Sequence, residues 1–131
     1  MRRFVVTGAN AGIGKAIADK LAAEGASVVL ADLNEAGAKA AAATLPTAIG
    51  IGADVSDEAS VKAMVRTAVD TYGTLDILVN NAAIVPFTAW DEIDLAEWRR
   101  IMAVNLDGTF LTNRHASDEM RKAGYGRSVN I

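Results

Sequence analysis

The sequence predicts an α/β domain with a doubly wound parallel sheet, and two observations carry this prediction. Short apolar runs, as in buried strands, alternate with segments whose apolar residues recur every three or four positions, as in helices. This order is typical of right-handed βαβ units, which pair their strands in parallel. No linker, repeat or low-complexity segment interrupts it, so residues 1–131 are predicted to form one domain.

Each of five apolar runs predicts a strand, although the third run is weaker than the others. The first run leads into a glycine-rich loop at residues 7–15, and the second ends at Asp32. In a parallel sheet, ligands bind beyond the carboxyl ends of the strands, which is where this loop is expected. The predicted strands cover residues 2–7, 27–32, 47–54, 75–80 and 127–131.

Helical periodicity fills the segments between the predicted strands. The third segment has the clearest apolar stripe, with Ser56 as its predicted N-cap and Gly73 as its end. The last segment is a long amphipathic stretch that carries His115, predicted to be exposed to solvent. The predicted helices begin and end at Gly12 and Gly25, Asn34 and Pro46, Ser56 and Gly73, and Asp94 and Ala123.

Composition excludes several classes of function. A net charge of -3 and a pI near 5.1 argue against a nucleic-acid partner. The longest apolar run, residues 26–31, is far shorter than a membrane span, so no membrane partner is expected. The chain has no cysteine and one histidine, which argues against disulfides and against a metal site. The glycine loop follows MetArgArg too closely for an export signal, so a cytoplasmic location is expected.

The glycine-rich loop fits neither of two common phosphate-binding patterns. A Walker A loop fails because Ala9 and Ala16 stand where glycine and a hydroxyl residue are needed. The spacing Gly-x-Gly-x-x-Gly also fails, because Gly12 and Gly14 are followed by Ile17. What remains is Thr-Gly-x-x-x-Gly-Ile-Gly.

This spacing has a physical reading of its own. Gly8 lets the chain turn off the strand, Gly12 leaves the backbone bare for an approaching anion, and Gly14 lets the helix pack close to the sheet. Free N–H groups at the start of the helix then attract the anion. From the residues alone, the glycines could instead only turn a strand into a helix.

The same spacing resembles the fingerprint of the short-chain dehydrogenase/reductase family. The resemblance implies a Rossmann sheet in the order 3-2-1-4-5, with the C-terminal strands absent from these residues. It implies NAD as the cofactor, and the residues that match the family's binding positions are Gly8, Asn10, Gly12, Ile13, Gly14, Asp32, Leu33, Asp54, Val55, Asn81 and Ala82.

Asp32 carries the preference for NAD over NADP. It stands 18 residues after Gly14, near the position of the acid that binds the adenosine ribose in dinucleotide sites. A carboxylate there repels a 2′-phosphate, and Ala11 stands where NADP-dependent relatives often have a basic residue. Taken by itself, Asp32 could also be a simple strand-end or helix-cap aspartate.

Three further segments match the family in order. Asp54 and Val55 resemble its adenine-contacting pair, and residues 80–83 resemble its Asn-Asn-Ala-Gly motif, with Ala83 in place of the glycine. Asn105 matches the active-site asparagine, which in relatives distorts the long helix and holds a water of the proton relay. The resemblance therefore assigns Asn105 as the catalytic residue of this segment.

The rest of the family's catalytic set is not matched. It needs a tyrosine followed four residues later by a lysine, yet Tyr72 is followed by Asp76 and Tyr125 by Val129. The family's serine would come just after Ile131. Residues 1–131 are therefore expected to be the dinucleotide-binding half of a longer protein, inactive by themselves. A non-catalytic dinucleotide-binding or regulatory module is the alternative.

The substrate region is expected at residues 81–101, which resemble those of pyridoxal 4-dehydrogenase-type members. A small alcohol or carbonyl is the implied substrate, either pyridoxal or a polyol or hydroxy acid. Trp90 and Trp98 are predicted to pack at the start of the following helix. A homo-oligomer, dimer or tetramer, is implied by the resemblance.

Overall fold

The computed structural model describes residues 1–131, arranged around a five-stranded sheet in the order β3-β2-β1-β4-β5. All four neighbouring strand pairs are parallel. The predicted fold class and strand order are confirmed. The strands are β1 (Arg3–Thr7), β2 (Ser27–Asp32), β3 (Ala48–Gly52), β4 (Ile77–Asn80) and β5 (Arg127–Asn130).

Helices cover both faces of the sheet. A short 3-10 turn, Trp90–Glu92, precedes the fourth of them. None of the helices combines the length and the apolar character that a membrane crossing requires. The helices are α1 (Gly12–Ala23), α2 (Glu35–Ala42), α3 (Glu58–Tyr72), α4 (Leu95–Met102) and α5 (Gly108–Ala123).

A buried cluster lies on each face of the sheet, as in a doubly wound fold. Successive strand residues point to opposite faces, so Val5 and Val6 of β1 enter different clusters. On one face Val5 packs with Val61 and Met64 of α3. On the other, Val6 lies among alanines of α1 and α2, and small side chains there let these helices approach the sheet closely.

The strand register gathers the predicted site residues at one edge. Thr7 pairs with Ala31, and Val6 pairs with Val79, so β1, β2 and β4 end at nearly the same level. Asp32 pairs with Gly52 at the end of β3. The loops that follow β1, β2, β3 and β4 therefore meet above the carboxyl ends of the strands.

The helix boundaries differ from the predicted ones at two places. Asp57 is the N-cap of α3, and its carboxylate accepts a hydrogen bond from the Ser60 N–H, so the prediction of Ser56 was wrong. The helix α2 ends at Ala42 instead of reaching Pro46. Because the residue before a proline disfavours helical backbone, the helix must end upstream of the proline.

The long amphipathic stretch is not one regular helix. Residues Ala103–Asp107 form a π-helical turn between α4 and α5. Upstream of it, Trp90 is 82% exposed and Trp98 is 48% exposed, so the predicted packing of these two rings at the start of the helix was wrong. Phe87 in the preceding loop is fully exposed.

Candidate functional site

A crevice of about 280 Å³ lies where the strand-end loops meet. Eight of the predicted binding residues line it, while Gly12, Ile13, Gly14 and Asn105 do not. The other lining residues, which were not predicted as binding residues, are Ala11, Ala31, Ala53, Ala83, Ile84 and Val104. The eight predicted residues are Gly8, Asn10, Asp32, Leu33, Asp54, Val55, Asn81 and Ala82.

Two of the three glycines at the junction of β1 and α1 are required by close contacts. Gly8 has a φ of +65°, and a Cβ there would lie 2.9 Å from the Cα of Ala82. A Cβ on Gly14 would lie 2.3 Å from the Gly8 carbonyl oxygen and 2.5 Å from Asn81 Nδ2. Gly12 differs, because its φ is +58° but no atom lies within 4 Å of the Cβ position. Gly8 and Gly14 hold the loop against β4, whereas Gly12 faces open space.

The first turn of α1 offers unpaired backbone N–H groups. Its N-cap is Ala11, no side chain caps it, and it has no acidic residue. The helices α2, α3 and α4 are instead capped by their own side chains, those of Asn34, Asp57 and Asp94. An uncapped first turn, with the positive end of the helix dipole, suits an anion.

Asp32 is held by two backbone donors at the rim of the crevice. Its Oδ2 accepts from the Asn10 N–H at 3.0 Å, and its Oδ1 accepts from the Asn34 N–H at 2.9 Å. Each carboxylate oxygen can accept a further hydrogen bond. The carboxylate is therefore fixed in place and still able to accept from hydroxyl groups of a ligand.

Asp54 is fixed by the two serines that follow it. Its Oδ1 accepts from the Ser56 N–H at 3.0 Å and from the Ser56 hydroxyl at 2.6 Å. The Asp54 N–H donates to Ser60 Oγ at 2.9 Å. The next residue, Val55, is buried, and a Cβ on Gly108 of α5 would lie 2.7 Å from its Cγ2.

Thr7 is a site residue that the sequence analysis left without a role. Its buried hydroxyl oxygen accepts from the N–H groups of Asn81 and Ala82, at 3.1 and 3.0 Å. In return the Asn81 side chain donates to the carbonyl oxygens of Thr7 and Gly8, both at 3.2 Å. The signal was its place at the head of the glycine pattern. These bonds tie the loop after β4 to the loop after β1.

Asn105 lies in the π-helical turn, and its side chain makes two hydrogen bonds to the loop after β4. Its Oδ1 accepts from the Ile84 N–H at 2.8 Å, and its Nδ2 donates to the Ile84 carbonyl oxygen at 2.9 Å. Ile84 itself lines the crevice. The amide of Asn105 therefore positions the wall of the crevice.

The remaining titratable groups lie away from the crevice. Burial raises the pKa of Tyr72 above its ordinary value, and the Tyr125 ring stacks with Arg2 at 4.0 Å. His115 was predicted to be exposed, but its side chain is only 16% exposed and its Nε2 lies 2.9 Å from Glu58 Oε1. No group of three or more His, Cys, Asp or Glu side chains comes together as a metal site.

Comparison with known proteins identifies relatives that match nearly the whole chain. A sequence profile described as short chain dehydrogenase matches residues 2–131. An uncharacterized oxidoreductase of Thermotoga maritima is 42% identical over 131 residues, which are 97% of this chain and 51% of that protein.

Two relatives have more specific descriptions. A 2-(S)-hydroxypropyl-CoM dehydrogenase 3 of Xanthobacter autotrophicus is 45% identical over 98% of this chain and 52% of its own length. A D-threitol dehydrogenase of Mycolicibacterium smegmatis is 40% identical over 97% of this chain and 50% of its own length. The chain thus spans about half the length of the curated relatives it matches.

Proposed function

The chain belongs to the short chain dehydrogenase family, and we propose that it binds NAD in the crevice as part of a dehydrogenase or reductase. The reaction would transfer a hydride between NAD(H) and a small alcohol or carbonyl compound. The observation that carries this proposal is the uncapped first turn of α1 beside the fixed carboxylate of Asp32.

The crevice and the first turn of α1 beside it fit a dinucleotide. The uncapped amides of that turn suit a diphosphate, and Asp32 suits the hydroxyls of the adenosine ribose. Asp54 and Val55, one strand further out, suit the adenine. Asn81 and Ala82 on the opposite side suit the nicotinamide ribose. When bound, the nicotinamide supplies or accepts the hydride.

The charge of the crevice supports NAD over NADP. Its lining contains the carboxylates Asp32 and Asp54 and neither lysine nor arginine. A 2′-phosphate on the ribose would approach Asp32 without a cation to offset the repulsion. NAD has a hydroxyl at that position and can donate to the carboxylate.

We propose further that residues 1–131 are the coenzyme-binding half of the protein, with Asn105 its one active-site residue in this segment. Two facts support this division: the relatives are about twice as long, and neither Tyr72 nor Tyr125 lines the crevice. A segment with a tyrosine and a lysine four residues later would complete the site. Without that segment, residues 1–131 would bind the coenzyme but would not catalyse hydride transfer at a rate typical of the family.

For the substrate, pyridoxal is the first compound to test, because residues 81–101 resemble pyridoxal 4-dehydrogenase-type proteins. Polyols and hydroxy acids are the next class, since one relative is named for D-threitol. A homo-oligomer is also proposed, because Leu106 and Phe110 on and beside α5 are exposed apolar side chains.

Titration calorimetry with NAD and NADP tests the coenzyme proposal. The unmodified chain should bind NAD more tightly, and Asp32→Ala should lower NAD affinity by about tenfold, since hydrogen bonds to a charged group are lost. Asp70→Ala, on the exposed surface of α3, is the matched control and should bind like the unmodified chain. Tighter binding of NADP, or no binding of either nucleotide, would contradict the proposal.

A further inference from the structure

The segment from Asp54 to Ser60 contains a small hydrogen-bond system in which two serines, unused by the proposed function, bind Asp54. The Ser56 hydroxyl and N–H both donate to the same oxygen of Asp54, Oδ1, at 2.6 and 3.0 Å. Ser60 Oγ accepts from the Asp54 N–H at 2.9 Å. Neither serine caps α3, because that role belongs to Asp57. The two serines therefore act on Asp54, one on its side chain and one on its backbone.

The place of Asp54 along the sheet edge decides what it can meet. The glycine loop follows β1, Asp32 ends β2, and Asp54 follows β3, in the order in which these strands lie side by side. A nucleotide with its diphosphate at the first position and its ribose at the second has its base at the third. Asp54 lines that end of the crevice together with Val55.

The hydrogen bonds leave Asp54 with one free oxygen. Both donors from Ser56 go to Oδ1, and no protein group donates to Oδ2. A carboxylate only accepts hydrogen bonds. Adenine presents an exocyclic amine, which donates, whereas hypoxanthine presents a carbonyl oxygen in its place, which only accepts. A fixed Oδ2 therefore favours adenine and repels hypoxanthine.

We propose that Ser56 and Ser60 are positioning residues that hold Asp54 in one orientation and so make the crevice select adenine over a 6-oxo base. The inference rests on the proposed binding of NAD. It assigns the base selection to the rigidity of Asp54 and not only to its charge. Without the Ser56 hydroxyl, the carboxylate keeps one donor and can rotate, which lets it turn away from a carbonyl oxygen.

The probe is nicotinamide hypoxanthine dinucleotide, which differs from NAD only in the base. Dissociation constants for both nucleotides are measured by calorimetry on the unmodified chain, Ser56→Ala, Ser60→Ala and the conservative Ser56→Thr. The unmodified chain should prefer NAD by about tenfold, as expected where a polar group of the site is left without its partner. In Ser56→Ala and Ser60→Ala the preference should shrink to about twofold or threefold, whereas Ser56→Thr should keep it.

The ratio of the two dissociation constants distinguishes a serine that positions Asp54 from one that only supports the fold. If a serine had only a structural role, its replacement would weaken the binding of both nucleotides equally and leave the ratio unchanged. Ser117→Ala is the control, because the Ser117 hydroxyl donates to a backbone carbonyl on α5, far from the crevice lining. An unchanged ratio in Ser56→Ala, or no preference in the unmodified chain, would overturn the inference while leaving NAD binding intact. Failure of the unmodified chain to bind NAD would instead remove the proposed function, and the inference with it.

Discussion

The helices α1 and α3 both begin at the carboxyl edge of the sheet, yet their first turns are built in opposite ways. In α3, the Asp57 carboxylate accepts from the Ser60 N–H at 3.0 Å, and Glu58 adds an acid to the first turn. In α1, Ala11 stands at the N-cap with neither a side-chain cap nor an acid. A helix that completes its own first turn needs no ligand there. The incomplete turn of α1 therefore suits an anion, whereas the first turn of α3 does not.

The two helices also differ in how they meet the sheet. The third helix buries a stripe of large side chains, including Val61 and Met64. The start of α1 reaches the sheet through Gly14, where the space for even a methyl group is occupied by Gly8 and Asn81. Close backbone approach takes the place of side-chain packing. The comparison predicts that adding side-chain atoms at the start of α1 destabilises the fold, as removing buried side-chain atoms from α3 does.

The largest effect is expected for Gly14→Ala. The new Cβ would lie 2.3 Å from a backbone oxygen and 2.5 Å from Asn81 Nδ2, so α1 must shift away from the loop after β4. Overpacking of this kind costs about 3 kcal/mol of unfolding free energy. NAD binding should become undetectable by calorimetry, because the first turn of α1 moves with the helix.

Gly25→Ala is the control for that substitution, since Gly25 also belongs to the α1 region but has no atom within 4 Å of its Cβ position. Its φ of +87° makes some loss of stability inevitable, but the crevice is untouched. Chemical denaturation gives both free energies, and calorimetry gives both affinities. Wild-type NAD affinity in Gly14→Ala would show that the close approach at this glycine is not needed for the site.

A smaller and more informative effect is expected for Ala11→Asp, which gives α1 the cap that α3 already has. Ala11 has the extended backbone of an N-cap residue, with φ −153° and ψ 177°. An aspartate there should raise the unfolding free energy by about 1 kcal/mol. It should also weaken NAD binding by about tenfold, because it occupies the amides and repels the diphosphate. Thermal denaturation and calorimetry measure the two changes, which have opposite signs.

The mirror image is Asp94→Ala, which removes the cap of α4, where the carboxylate accepts from the Glu97 N–H at 2.8 Å. It should cost about 1 kcal/mol of stability and leave NAD affinity as it was. If Ala11→Asp gained stability without losing affinity, the amides of α1 would not be the diphosphate site.

Local patterns in the sequence were enough for the strands and the glycine loop, whereas the family resemblance supplied the strand order and most of the crevice residues. Five apolar runs and the glycine spacing predicted the strand-end loops, and the register then brought eight of the predicted residues to one crevice. Apolar periodicity and the conformations that only glycine adopts are properties of a residue and its near neighbours. These properties do not depend on contacts with distant parts of the chain.

The features that were missed depend on particular side-chain contacts, some of them between distant residues, that hydrophobic periodicity does not reveal. Ser56 and Asp57 are both good N-caps, and the hydroxyl of Ser56 is drawn instead to Asp54. Helical periodicity predicted one long helix, and only the resemblance of Asn105 to the family's helix-distorting asparagine indicated the irregular turn, where Asn105 pairs with Ile84, 21 residues away. His115 was misjudged because the residues around it come from α3, which is distant in the sequence.

The smallest effect concerns the acid that α3 has and α1 lacks. The hydrogen bond from His115 is the main cause that lowers the pKa of Glu58 below its ordinary value of 4.5, with the nearby Lys62 cation adding to it. A lowered folded-state pKa contributes stability that is present above pH 4.5 and is lost as the pH falls through the folded-state pKa. The melting temperature of the unmodified chain should therefore fall more steeply between about pH 5 and about pH 3 than that of Glu58→Gln.

Asp118, whose pKa is lowered mainly by Arg114 and Arg121, keeps its own acid dependence in both proteins. The difference between the two melting curves should be small, because the Glu58 carboxylate is exposed to solvent. Parallel curves would mean that the contact between α3 and α5 at this point contributes nothing to the fold.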